Sequence, residues 1–368
     1  MRHATLLYLR SFFIALTAIA LLFAAGVGLV GEKIGATITL DQLAKTQSVE
    51  HDKIVMPFDL RYWAALKLPR IAIDNPEIIY ISSSRAGAAR ARMFQPYSFY
   101  NLSFTAWTLD QVIDIFDRAT RDNAARIAIV ELDYFMFTDT WERGNLKNDM
   151  IFGWPIRYLA TSAVDMVRSA ARHPELLSYI RAPERPFVGT QAILSNEGFR
   201  FDGSYVYSIG HTRDSAEHHI NAETLVQAMP GGAAISTKQM GLLRKLTALA
   251  QQRHVTLVGI QLPLFKEGVD YLDTNRSYYA YSGVWRELES AANREIFQEI
   301  GIHFFDLAHD QLNREKENFF DAYHPSSLGM LRSMQSLLRL TDFRNVFPAI
   351  DPKTIDQQIA DEAVSRPQ

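Results

Sequence analysis

The feature that most constrains this chain is a rhythm. Short apolar runs rich in Ile, Val, Phe and Tyr recur at Ile78–Ile81, Ser98–Leu102, Arg126–Val130, Val255–Ile260 and His303–Leu307, with segments of helical character between them. Runs of that length and composition read as strands. Strands alternating with helices build a parallel sheet covered on both faces, and right-handed crossovers wind it both ways. The expected fold is therefore α/β, a doubly wound parallel five-stranded sheet. Thr108 with Gln111, and Ser236 with Gln239, have the spacing of capping boxes. Ile113, Ile115 and Phe116 recur on one face, and Gly301 has the position of a C′ glycine.

The second constraint is Ser11–Val30, twenty residues without a charge. As a helix it spans roughly 30 Å, the thickness of a hydrocarbon core. Arg2 and Arg10 precede it, so the positive-inside rule places the start in the cytoplasm and the rest outside. A cleaved signal peptide is the rival reading. Its apolar region is expected to be shorter, and the small residues Ala18 and Ala20 lie in the middle of this run rather than after it. An uncleaved anchor is the expectation, with the remainder on the extracytoplasmic side of the membrane.

The rest divides readily. Residues 1–33 form a cytoplasmic stub and anchor, 34–75 a connector, 76–341 the α/β domain, and 342–368 a loosely attached tail. Within the domain, 139–235 breaks the rhythm and reads as one long insertion, an active-site cover or a partner surface. The connector stretch "KIVMPFDLRYWAALKLPR" is amphipathic and suits either the membrane or the domain surface. With 48% hydrophobic residues in 368, a sizeable core is within reach. Charges nearly cancel, 38 basic against 41 acidic, so nothing suggests nucleic acid. The absence of cysteine removes disulfides, thiolate metal sites and cysteine nucleophiles.

The chemistry gathers at two loops. In an open parallel sheet, ligands bind beyond the carboxyl ends of the strands. The first strand ends in Ser82, Ser83 and Ser84, and the last β/α loop carries Asp321 and His324 in "FFDAYHPSSLG". Three residues apart on a tight turn, the carboxylate can accept the Nδ1 proton of the imidazole and leave the other nitrogen as a base. A serine, a base and its orienting carboxylate are the set that acyl transfer requires. Each part also has a plainer role, since serines after strands cap helices. His211, His218 and His219 with Asp214 and Glu217 match no common ligand spacing and read as solvated surface. Arg90 and Arg92 read as an exposed helix face. Tyr100, Trp107, Tyr134, Phe135 and Phe137 are candidates for a sugar groove or for core.

"IIYISSSRAG", "FYNLSFTAWT" and "FFDAYHPSSLG" together resemble the first, second and last blocks of SGNH hydrolases, the GDSL esterase superfamily. The resemblance covers roughly residues 76–341 without the insertion, and its last block is the most specific. It implies a flavodoxin-like SGNH fold. It makes Ser84 the nucleophile, His324 the base and Asp321 its orienter, with no metal and no organic cofactor. The family's oxyanion glycine falls at Ala106 and its asparagine near Asp133, where a carboxylate only accepts. Ser103, Ala106 and Asp133 are thus the oxyanion-side candidates, with Arg85 a candidate for an anionic substrate or a carboxylate partner. With the anchor, the layout is similar to the D-alanyl-transfer and alginate-acetylation proteins that work beside membrane-bound O-acyltransferases. The expected function is serine-dependent acyl transfer or ester hydrolysis on an envelope or secreted polysaccharide. The alternatives are a catalytically degenerate module that binds glycan or a membrane O-acyltransferase, and a free-standing esterase.

Overall fold

The computed structural model describes residues 2–57, 63–122, 124–139, 141, 155–179, 186–208, 231–274 and 279–364. It opens with α1 (Arg2–Ile34), of which Tyr8–Ile34 is long and apolar enough to cross a membrane and has an 18-residue apolar window with no buried residue among the described ones. Gly35, at φ +76°, ends the helix where a side chain would meet Val188. Next come α2 (Leu40–Val49), β1 (Ile54–Val55) and α3 (Trp63–Asp74). The central sheet holds β2 (Ile78–Ile81), β3 (Phe99–Leu102), β4 (Ile127–Glu131), β8 (Thr256–Gln261) and β9 (His303–Asp306). Its order is β3-β2-β4-β8-β9 and every pairing is parallel.

Both faces of this sheet are covered, as the unbroken apolar runs require. Successive side chains point to opposite faces. Ile79, Ile81, Ala128, Val130 and Leu257 pack under α3, α4 (Leu109–Thr120) and α8 (Thr237–Gln252). Ile78, Tyr80, Ile129, Val258 and Phe305 pack under α12 (Ser327–Leu338), α13 (Thr341–Val346) and α14 (Pro352–Val364). Each fully buried aliphatic side chain contributes about 1.5–3 kcal/mol before conformational entropy is counted.

Two expectations need correction, and a third, open between two alternatives, is decided. The tail is not loose: Phe343, Phe347, Ile350 and Ile355 are buried in the second core layer, because α13 and α14 are the cover that the sheet lacks there. Arg90 and Arg92 are half-buried, and Arg92 pairs with Glu362 of α14. The connector lies on the domain, with Trp63, Leu66, Lys67, Arg70 and Ile71 buried. It joins the insertion in a second sheet, β5-β1-β6-β7, where β5 is Phe187–Val188, β6 Gly198–Phe199 and β7 Tyr205–Val206. Other parts of the insertion, and the stretch from His211 to His219, lie outside the described residues.

Two caps differ in detail. Thr108 precedes α4 without capping it, and Gln111 accepts the N–H of Trp107 instead (2.8 Å). Ser236 does cap α8 through Gln239 N–H, while the Gln239 amide reaches Thr138 O. Gly301 follows α11 (Ala291–Glu299) with φ +88°, as the C′ position demands.

Candidate functional site

The carboxyl end of β2 gives its three hydroxyls three different partners. Ser82 Oγ turns back to the Ser83 carbonyl (3.0 Å). Ser83 caps a one-turn 3-10 helix, Ser84–Ala86, by accepting the Arg85 N–H. Its Oγ and N–H both donate to Glu131 at the end of β4, at 2.8 and 3.0 Å. Ser84 alone points to the rim, where its Oγ lies 2.7 Å from His324 Nε2.

The histidine loop is built for that meeting. Phe319 pairs with Pro325 across it, and Phe320 N–H donates to His324 O (2.8 Å). Asp321 Oδ1 accepts the N–H groups of Tyr323 (2.9 Å) and His324 (2.8 Å), while Oδ2 lies 2.7 Å from His324 Nδ1. Ser326 caps α12 through Gly329 N–H. A Cβ at Gly329 would sit 2.0 Å from Asn318 O, so only glycine lets α12 start this close to the loop. Burial alone would raise the Asp321 carboxyl, but the imidazole and the N–H donors outweigh it and bring its pKa to about 2. The carboxylate therefore selects the tautomer with hydrogen on Nδ1, which leaves Nε2 to accept the Ser84 proton.

The structure brings Ser84, His324 and Asp321 together but places the other four sequence candidates elsewhere. Arg85 and Asp133 form an ion pair buried to 2% and 1% exposure, so neither faces a ligand. Arg85 Nε also donates to Tyr323 O (2.8 Å) and Nη2 to Leu262 O and Pro263 O, at 3.1 and 2.7 Å. Leu262 N–H donates to Asp133 Oδ1. The guanidinium thus ties the turn after β2 to the loop after β8 and to the histidine loop. Ala106 is buried with its N–H on Ser82 O (3.3 Å). Ser103 is buried with its N–H on Asn101 Oδ1 (2.7 Å). Neither offers a donor to the rim. The Ser84 N–H, first in its turn, donates to no acceptor among the described residues.

Sequence reasoning missed Glu131, Lys67 and Tyr207. Glu131 is fully buried, and desolvation, then the neighbouring Asp133, push its pKa well up against the pull of Arg85. With one arginine beside two buried carboxyls, Glu131 is the one pushed towards its protonated form. A charged residue inside "IAIVE" was the available signal. Lys67 Nζ donates to the carbonyls of Asn101 (3.0 Å), Ser103 (2.7 Å) and Gly203 (2.8 Å), and lies 4.1 Å above the Phe199 ring. Burial pulls its pKa down, yet three carbonyls and the Ser103 hydroxyl (3.3 Å) give its N–H groups acceptors that suit the ammonium. It anchors the loop after β3, where Phe104 sits at φ +64°. Tyr207, from the insertion, donates to Ser84 O (3.2 Å) and packs 4.2 Å from the Phe320 ring beside His324. Of the proposed groove aromatics, Tyr100, Tyr134, Phe135 and Phe137 are core.

Elsewhere, Asp273, Glu289 and His309 bring one ligand atom each within 4.8 Å of the others. Both ring nitrogens of His309 already face carboxylates, at 3.1 and 3.0 Å. A cleft of about 630 Å³ between α2, α3 and α4 touches none of these groups. No family model matches the chain, and neither does any curated protein.

Proposed function

We propose that the chain is a serine-dependent O-acyltransferase or carbohydrate esterase of the SGNH type, anchored by α1 in a bacterial inner membrane. The domain then works on the extracytoplasmic side on O-acyl groups of an envelope or secreted polysaccharide. A membrane-bound O-acyltransferase is the proposed donor of the acyl group. The observation that carries the reading is the relay from Ser84 Oγ through His324 to Asp321, with both links at 2.7 Å.

In this mechanism His324 Nε2 takes the Ser84 proton as Oγ attacks the acyl carbonyl, and Asp321 balances the imidazolium. The Ser84 N–H is the donor placed to meet the oxyanion. Collapse expels the donor's alcohol, which takes the proton from His324, and leaves an ester on Ser84. A glycan hydroxyl or water, deprotonated by His324, then attacks that ester and frees the serine. The first acceptor gives transfer, the second hydrolysis.

The test is labelling of the full-length protein with a fluorophosphonate. Modification at Ser84 that Ser84→Ala abolishes is the expected result. Absence of labelling, with polysaccharide acylation intact in a Ser84→Ala strain, would overturn the proposal. It would favour a second reading, a catalytically degenerate module that binds glycan or a membrane O-acyltransferase. One observation speaks for that reading: Ser103, Ala106 and Asp133 supply no oxyanion donor.

A further inference from the structure

The amphipathic helix α5 (Pro155–Arg172) packs on the last turns of α1. Met166, Val167 and Ala170 meet Val27, Val30 and Ile34, joined by Leu176 of α6 (Glu175–Tyr179) and Ile193 of α7 (Thr190–Ser195). The joint is held by polar links as well. Ser162 Oγ donates to Ala36 O, Gly189 N–H to Ile34 O (2.6 Å), and Ala36 N–H to Gly31 O (2.7 Å). The helix therefore enters the domain through a packed joint, without a flexible linker.

The position of that joint is set by charge. The uncharged run ends at Gly31, and Glu32 and Lys33 follow it. Ser11–Val30 as a helix already fills the roughly 30 Å of a hydrocarbon core. Val27 and Val30 then lie at its outer boundary, and a helix packed on them lies in the headgroup layer. The exposed side of α5 carries Ala160, Thr161, Val164, Arg168, Ala171 and Arg172, with Asp165 partly exposed among them. Val164 is 49% exposed. Small residues, one aliphatic and two arginines against a single aspartate leave a net positive face, which suits an anionic interface.

We propose that α5 rests in the outer headgroup layer and fixes the height of the Ser84 site above the membrane. This rests on the reading that α1 crosses the bilayer. From the joint, the second sheet leads to the site: Gly189 follows β5, and β5-β1-β6-β7 ends at Tyr205 and Tyr207. Tyr205 N–H donates to Gly87 O (2.7 Å) and Tyr207 to Ser84 O. Three strand spacings of roughly 4.8 Å make about 14 Å from β5 to β7, so a short, hydrogen-bonded path joins Ser84 to the helix exit. An acyl donor presented at the membrane surface is within reach, and one deep in the aqueous phase gains nothing from the arrangement.

The chain has no cysteine, so single cysteines report cleanly. Fluorophores at Ile19→Cys, Val164→Cys and Val364→Cys are measured in the full-length protein in vesicles containing phosphatidylglycerol, with nitroxide on the acyl chains or on the headgroups. The expected result is quenching at position 19 by acyl-chain nitroxide. Headgroup nitroxide should quench position 164 several-fold more than position 364. Position 164 behaving like 364, while 19 is quenched, overturns the proposal and leaves the anchor standing. No quenching at 19 overturns the anchor itself, independently of any labelling at Ser84. Shielding at 164 that grows with protein density identifies a second copy as the occupant and overturns the lipid assignment. Arg168→Glu with Arg172→Glu should reduce the quenching at 164, and unchanged quenching removes the arginines from the contact.

Discussion

His324 and His309 both sit beside carboxylates, and of this pair only His324 is placed to work as a base. His324 has Asp321 on Nδ1 and a serine hydroxyl on Nε2, each at 2.7 Å. His309 has a carboxylate on both nitrogens, Asp273 and Glu289. Burial lowers the His309 pKa, but the Asp273 hydrogen bond and the charge of Glu289 outweigh it, and the net shift is upward. Glu289, partly desolvated, is itself pushed up to about 8. An imidazole with an acid against each nitrogen is biased towards its protonated form and offers no nitrogen free to face a substrate. An imidazole with one carboxylate and one neutral donor stays ready to take a proton. The difference is one partner, a hydroxyl in place of a second acid.

Experiments can break or sharpen this contrast. The largest effect is expected at the reacting pair: Ser84→Ala or His324→Ala should lower the rate of labelling or acyl transfer by roughly 10⁴–10⁶-fold. A loss of less than tenfold would make His324 no more of a base than His309. Asp321→Asn leaves the shape but forfeits the tautomer, and about 10⁴-fold is expected in rate. The same variant carries a stability signature. The folded pKa of about 2 lies below the ordinary 3.8, so the carboxylate stabilises the fold above about pH 4. That stability, on the order of 2 kcal/mol, is lost as pH falls towards 2 and should be missing throughout in the Asn variant. Melting temperature against pH measures it.

Beneath the nucleophile, Glu131→Ala strands the Ser83 hydroxyl and N–H, at a cost of about 1–3 kcal/mol for each group. Glu131→Gln, the neutral isostere, should match the wild type below about pH 4.5 and exceed its stability at neutral pH. Because folded Glu131 keeps a proton that the unfolded chain releases above its ordinary 4.5, wild-type stability declines as pH rises through that value. Urea midpoints across that range should show the decline in wild type and a flatter profile in the Gln variant. The smallest effect belongs to the other histidine. His309→Ala should cost under about 1 kcal/mol, since its carboxylate pairs are largely solvated. It should leave Ser84 labelling unchanged. The upward-shifted pKa puts the clamp's contribution below about pH 6.5, and it fades as pH rises through the folded value.

Much of the main sheet was legible. The five strand runs lie within a residue or so of the observed strands, because a strand buried on both faces must be apolar at every position. The small sheet left no such trace. Its strands are two residues long, and Val55 pairs with Val188 and Phe199, far along the chain. Two residues hold no periodicity to read. The tail was misread for a related reason: the partners of Phe343 and Phe347 are not neighbours in sequence, since Phe343 packs on Phe305 of β9 and Phe347 on Phe94 and Tyr97, about 250 positions earlier.

At the site, the Asp321–His324 pair was readable because both ends share one tight turn. That three serines stand at a strand end facing this loop follows from the alternation of elements alone. Which serine reaches the rim does not. Glu131, 48 residues beyond Ser83, takes one hydroxyl, and His324, 240 residues beyond Ser84, takes another. Arg85 looked equally suited to a substrate anion until folding closed Asp133 over it. Local patterning determines strands, helices and turns, because their hydrogen bonds and apolar faces depend on neighbours in sequence. The partner of each polar side chain depends on what the crossovers bring beside it, and that the tertiary structure alone decided.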